Sequence, residues 1–192
     1  MELMVRKFLV AGLAAVASLA LSFASQAQGV QIVTFGDSGP AGNGVEQAEA
    51  YPAQLQAALR AQGIQATVQN ISVSGDKSAD GLGRVGKVPA TAKLVIVEFG
   101  SNDLRANVPD ATRNANMISI VQRLQANGAK VIVVGTRGID YSPVAAATGA
   151  VAITYPPSFR NYIQSGTGRH LTAQGHKAAV DLIMPNVLAA IK

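Results

Sequence analysis

No cysteine occurs anywhere in this chain. That excludes disulfides, thiolate nucleophiles and cysteine-held metals, and it leaves core packing to hold the fold, which suits even an oxidising compartment at this size. Histidine is nearly as scarce. With only His170 and His176 available, a catalytic metal centre is not expected, because zinc sites usually gather three protein ligands. Basic residues outnumber acidic ones and the formal charge is +5, yet no Lys/Arg run is present. Nucleic-acid binders cluster their charge, so the excess reads as a solvated surface and no nucleic-acid partner is expected. A phosphate cradle is missing as well. Gly39, Gly42 and Gly44 follow a strand-like run without the G-x-G-x-x-G order, no G-K-S/T follows them, and no acidic residue closes the second predicted strand.

Long hydrophobic runs are lacking except at the start. "MELMVRKFLVAGLAAVASLALSFASQAQ" places Arg6 and Lys7 before an apolar or small run from Phe8 to Phe23, then small residues at Ser25 and Ala27. That is the order of a secretory signal peptide over residues 1–27, with cleavage after Ala27. The alternative is an uncleaved anchor, for which the run is slightly short of the ~20 residues a spanning helix needs. Cleavage would lower the formal charge to +4 through loss of Glu2, Arg6 and Lys7. Residues 28–192 then read as one domain, periplasmic or secreted, with no stable membrane insertion. The sequence does not fix an oligomeric state.

Within that domain, apolar runs alternate with helix-like segments. Ile32 to Phe35, "ATVQNISVS", "KLVIVEFG", "AKVIVVG" and the short "AVAIT" read as about five strands. "EQAEAYPAQLQAALRAQG", "TRNANMISIVQRLQANG" and the closing "LTAQGHKAAVDLIMPNVLAAIK" read as helices. This alternation predicts an α/β fold with a central parallel sheet covered on both faces. The glycine-rich and polar segments between them read as irregular. Most directly follow a strand, so their polar residues should converge beyond the carboxyl ends of the sheet, where open parallel sheets bind ligands.

Ser38 stands three residues after Phe35 with Gly36 and Gly39 beside it, the position of a nucleophile at a sharp turn. A helix N-cap or turn serine is the bland alternative. Gly75 in "VSGD" offers a backbone N–H close to a substrate, and Asn102 in "FGSND" offers an amide. With the Ser38 N–H they would make three donors for an oxyanion, although each is also an ordinary loop residue. His170 lies in the loop before the last helix and reads as the general base. His176, inside that helix, reads as an ordinary exposed histidine.

Taken together, "FGDS", "VSGD", "GSND" and "HLTAQG", in this order over nearly all of residues 28–192, resemble the SGNH hydrolases, also called GDSL esterases and lipases. The resemblance implies a three-layer α/β/α sandwich of the flavodoxin-like kind and ester hydrolysis through a serine acyl-enzyme. It makes Ser38 the nucleophile and an oxyanion donor, Gly75 and Asn102 the other donors, and His170 the base, with no metal or cofactor. The sequence departs from the family where an aspartate usually stands three residues before the base. Thr167 occupies that position and brings no negative charge, so it is at most a third member that orients the ring. Asp140 follows a strand and is a second candidate; Asp181, on the last helix, should face solvent.

The expected substrate is a small-molecule, glycan or lipid ester with a small or short acyl group, bound in a shallow open site. Tyr155, Pro156, Pro157 and Phe159 are candidates to line it. The rival reading is a weak or inactive module that binds acylated glycans.

Overall fold

The computed structural model describes residues 29–166 and 168–192. The leader over residues 1–27 and the reading of Thr167 therefore lie outside the described residues.

Five strands form one parallel sheet: β1 (Val30–Gly36), β2 (Ala66–Asn70), β3 (Leu94–Glu98), β4 (Lys130–Gly135) and β5 (Val151–Thr154). Their order is β2-β1-β3-β4-β5. Register pairs Ile32 with Leu94 across β1 and β3, and Val95 with Val131 across β3 and β4. Every residue of β3 is buried, as a central strand covered on both faces requires, whereas edge strand β2 alternates.

The longer helices are α2 (Tyr51–Ala61), α5 (Asp110–Ala126) and α7 (Ala173–Ile191). The segment expected as one helix over residues 46–63 is broken: residues 47–49 form a single tight turn, Ala50 is extended, and α2 begins at Tyr51. Pro52 is the cause, since a proline is tolerated only in a helix's first turn. Four short helices occupy stretches expected to be irregular or unassigned, namely α1 (Ser38–Ala41), α3 (Ser78–Arg84), α4 (Ser101–Arg105) and α6 (Ser142–Thr148).

Two cores result, one per face of the sheet. Val33, Phe35, Val95, Val97 and Val133 pack against Met117, Ile120, Val121 and Leu124 of α5 and Val144 of α6. On the other face Ile32, Leu94, Ile96, Ile132 and Val134 meet Tyr51, Leu55 and Leu59 of α2 and Ala179, Val180, Ile183 and Val187 of α7. The fold is the expected three-layer α/β/α sandwich. Because the strand order reverses between β1 and β3, their following loops leave toward opposite faces, and a crevice opens between them at their carboxyl ends. Among the described residues no helix is long and apolar enough to cross a membrane.

Candidate active site

The crevice holds a cavity of about 800 Å³. Residues following β1 (Ser38, Asn43), β3 (Asn102), β4 (Thr136) and β5 (Tyr155), and the loop before α7 (His170), all line it. It is roomier than the shallow site expected and falls within the usual size of ligand pockets. The aromatic loop explains why: Tyr155 stacks on Phe159 with ring centroids 4.4 Å apart, and Phe159 meets Tyr162 edge-on at 5.7 Å. That stack stands as one wall, and Tyr155, Pro156, Pro157 and Phe159 all face the cavity.

Ser38 opens α1 without capping it. The cap is Asp37, whose Oδ1 accepts the Gly39 N–H at 3.1 Å. The serine hydroxyl is thereby released from the local turn. It reaches the His170 ring instead, with Nε2 3.2 Å from Ser38 Oγ across 132 positions of sequence. Among the described residues, the influences on that ring lower its proton affinity below the ordinary 6.5: desolvation first, then Arg169, Arg137 and Arg105. His170 therefore stands as neutral imidazole at neutral pH, the form a general base needs.

Asn102 lines the same cavity. Its Nδ2 donates to the Asp76 backbone oxygen at 2.9 Å and, more weakly, to Asp37 Oδ2 at 3.4 Å, so its amide is held between the turns that follow β1 and β2. Gly75 sits in the exposed turn from Val73 to Asp76 at φ +92°, a conformation other residues rarely adopt. It is outside the lining of the cavity, next to Ser74, whose Oγ accepts from Asn43 Nδ2 at 2.8 Å.

Three expectations for other titratable residues meet different fates. His176 is buried, 1% exposed, and not an exposed helix histidine. Its Nδ1 accepts the Tyr51 N–H at 3.3 Å, and burial pushes its proton affinity down to about 4. Sequence spacing carried the signal, since His176 falls on the stripe with Val180, Ile183 and Val187, each buried. Asp140 accepts from Ser142 N and Oγ at 2.8 and 2.6 Å and does not line the cavity. Asp181 faces solvent as expected, paired with Lys177 at 2.7 Å.

Other residues escaped the sequence reading. Glu98, the last residue of β3, lies at the cavity floor and is 4% exposed. Burial, then the nearby Asp37, push its carboxyl up to about 8, and Tyr155 Oη donates to its Oε2 at 3.3 Å. Asp37 is itself lifted to about 6, again chiefly by burial. A lone acid closing a continuous apolar run was the available signal. Arg84 had none. It ties three turns together, with Nη2 on Gly36 O at 2.9 Å, Nη1 on Ile71 O at 2.7 Å and Nε on Asp76. Its guanidinium also covers the Phe35 ring at 4.5 Å.

Known proteins resemble this chain in sequence and in fold. Residues 34–164 match the model of the GDSL-like lipase/acylhydrolase family. Over 112 residues the chain is 37% identical to esterase TesA of Pseudomonas aeruginosa, a stretch covering 57% of this chain and only 56% of that relative. A crystal structure of TesA superposes with a TM-score of 0.77 at 26% identity, covering 83% of this chain and 99% of that one. The structure of AlinE4, an SGNH-hydrolase family esterase, superposes at 0.66 with 31% identity, covering 87% and 99%.

Proposed function

We propose, from the premise that this chain belongs to the GDSL-like lipase/acylhydrolase family, that it is an exported serine esterase acting on small or short-chain acyl esters. The observation that carries the reading is the 3.2 Å approach of His170 Nε2 to Ser38 Oγ inside a cavity of about 800 Å³.

In the proposed reaction, Ser38 Oγ attacks the ester carbonyl while His170 Nε2 takes its proton. The carbonyl oxygen becomes an oxyanion received by the Ser38 N–H and by Asn102, which both line the cavity, and by the Gly75 N–H once its exposed turn moves in from outside that lining, each such donor contributing about 2.7–4 kcal/mol. Collapse breaks the bond to the alcohol, which leaves with the proton from His170, and Ser38 holds the acyl group. Water then attacks, giving a proton to His170, and the acid departs as Ser38 regains it. The neutral state of His170 supports its role as base, and the apolar wall from Tyr155 to Phe159 supports an acyl group of modest size. Export rests on the leader-like order of residues 1–27.

The test is hydrolysis of 4-nitrophenyl acetate by the purified protein beside Ser38→Ala. The expected loss is about four orders of magnitude or more in kcat, the scale seen when a nucleophile is removed. Equal rates would reject the enzyme in favour of a second reading, a module that binds acylated glycans without turnover, for which the threonine at 167 speaks.

A further inference from the structure

The mouth of the cavity is built from arginine. Arg105, Arg137, Arg160 and Arg169 all line it, and the only acidic residues lining it among the described residues, Asp37 and Glu98, are buried at its floor. Arg105, Arg137 and Arg160 enter no ion pair among the described residues. The polar contacts that are made do not neutralise them: Arg105 Nη1 donates to Asn102 Oδ1 at 3.2 Å, and Arg160 Nε to Pro157 O at 3.0 Å. Elsewhere some cations are matched to acids, as in Arg84 with Asp76 and Lys177 with Asp181, and those without an ion pair among the described residues, such as Arg60, Lys93 and Arg123, line no part of the cavity. Arg105, Arg137 and Arg160, with no ion pair among the described residues and only a longer-range pull between Arg137 and the buried Asp37, put an excess of positive charge at the opening of the cavity, which fits an anion that arrives from outside.

Arg137 adds a second, independent observation. It sits at φ +55°, followed by Gly138 at φ +77°, in a turn closed by Ile139 N on Thr136 O at 3.0 Å. Glycine or asparagine fits such a position without strain, whereas arginine carries a backbone cost. Strain of this kind persists where the side chain is needed, and here the side chain lines the cavity.

The position of the arginines says which part of a substrate they meet. The leaving alcohol must lie within reach of His170, which returns its proton. Arg105, Arg137 and Arg169 are the cations close enough to act on that ring. All three also line the cavity, so they lie toward its His170 side, from which the alcohol departs. Resting on Ser38 and His170 as nucleophile and base, we propose that Arg105 and Arg137 select esters whose alcohol portion carries an oxyanion, a carboxylate or a phosphate, beside the scissile bond.

The experiment compares the acetyl esters of glycerol, glycerate and glycerol phosphate by pH-stat, so that acyl group and carbon frame are held constant while the charge changes. At low salt, kcat/KM for the anionic esters is expected to exceed that for glycerol acetate by about three- to ten-fold, what one or two exposed ion pairs supply, and the gap should close as salt is raised. Glycerate above glycerol phosphate identifies a carboxylate substrate, and the reverse order a phosphate one. The ratio should fall toward one in Arg137→Gly, which keeps the turn's backbone, and in Arg105→Gln. A wild-type ratio of one, or a ratio unchanged in both variants, overturns the proposal while leaving the esterase intact. A parallel thermal-shift titration with glycerate and glycerol phosphate reads binding without turnover. Stabilisation of wild type and Ser38→Ala, but not of Arg137→Gly, supports the anion site even if no ester is cleaved. No stabilisation of any of them, with the wild-type ratio at one, rejects the site.

Discussion

The cavity's floor and its rim hold opposite charges under opposite conditions. At the floor, Asp37 and Glu98 are 3% and 4% exposed, and burial lifts their carboxyls to about 6 and about 8. At the rim, Arg105 and Arg137 are exposed and keep their charge in water. Burial makes an ion costly, so at neutral pH Glu98 keeps its proton while Asp37, lifted less, is largely ionised, and the rim remains charged because solvent imposes no such penalty there. Ser38 and His170 lie between the two. Substrate is thus met first by a field and then by a surface that hydrogen-bonds.

The most damaging way to break this arrangement is to force the floor against the nucleophile. A Cβ on Gly39 would run into the Glu98 carboxyl, and Gly39 also supplies the N–H that Asp37 accepts. Gly39→Ala must displace either Glu98 or the turn that presents Ser38. Overpacking of this kind costs about 1–3 kcal/mol, and an ångström of misplacement at a catalytic group costs about 100-fold in rate. Thermal unfolding and 4-nitrophenyl acetate turnover measure the two losses; a fully active, equally stable variant would show that the floor does not support the nucleophile.

Glu98→Gln sharpens the contrast without disturbing shape, since a Gln Oε1 still accepts from Tyr155. In the wild type the folded protein keeps a proton on Glu98 up to about pH 8, whereas an unfolded chain gives it up near 4.5. Stability from this group is complete below 4.5, declines as pH rises between the two values, and is gone above the upper one. Asp37 acts the same way between 3.8 and about 6. The wild type is therefore expected to lose on the order of a few kcal/mol from pH 4.5 to 8.5 at this floor, and the Gln variant distinctly less. Melting temperatures across that range check it, and parallel curves for the two proteins would contradict it.

How far the sequence foretold this molecule depends on what kind of signal each residue carried. Strand β3 was plain because a run buried on both faces must be continuously apolar; Ser38 stood out because a glycine turn at a strand end puts it on the sheet's edge, and His170 because it lies in the loop before the last helix, from which its ring reaches Ser38. The four short helices were not, since segments such as "SGDKSADGLG" combine helix-poor glycine with polar residues and are held by tertiary contacts. Ser78, for example, donates from N and Oγ to the buried Asp103, at 2.9 and 2.5 Å. The rim arginines were individually unremarkable. Arg105, Arg137 and the segment holding Arg160 and Arg169 are far apart in the chain, and only the return of β3, β4 and β5 to the same edge gathers them.

The smallest expected effect separates floor from rim most directly. Because His170 is lowered by desolvation and by three arginines, the acid limb of kcat/KM should lie below 6.5, where imidazole first takes the proton that disables it as a base. Raising ionic strength from about 0.05 to 0.5 M shortens the screening length from roughly 14 to 4 Å, which weakens exposed arginines but does nothing to desolvation. The limb should accordingly move upward and stop short of 6.5. The pH-stability curve set by Glu98 should stay where it is, because its cause is burial beside Asp37 and no mobile ion reaches it. A limb indifferent to salt would mean that the arginines do not act on the base, and a stability curve that shifts with it would mean that the floor is wet.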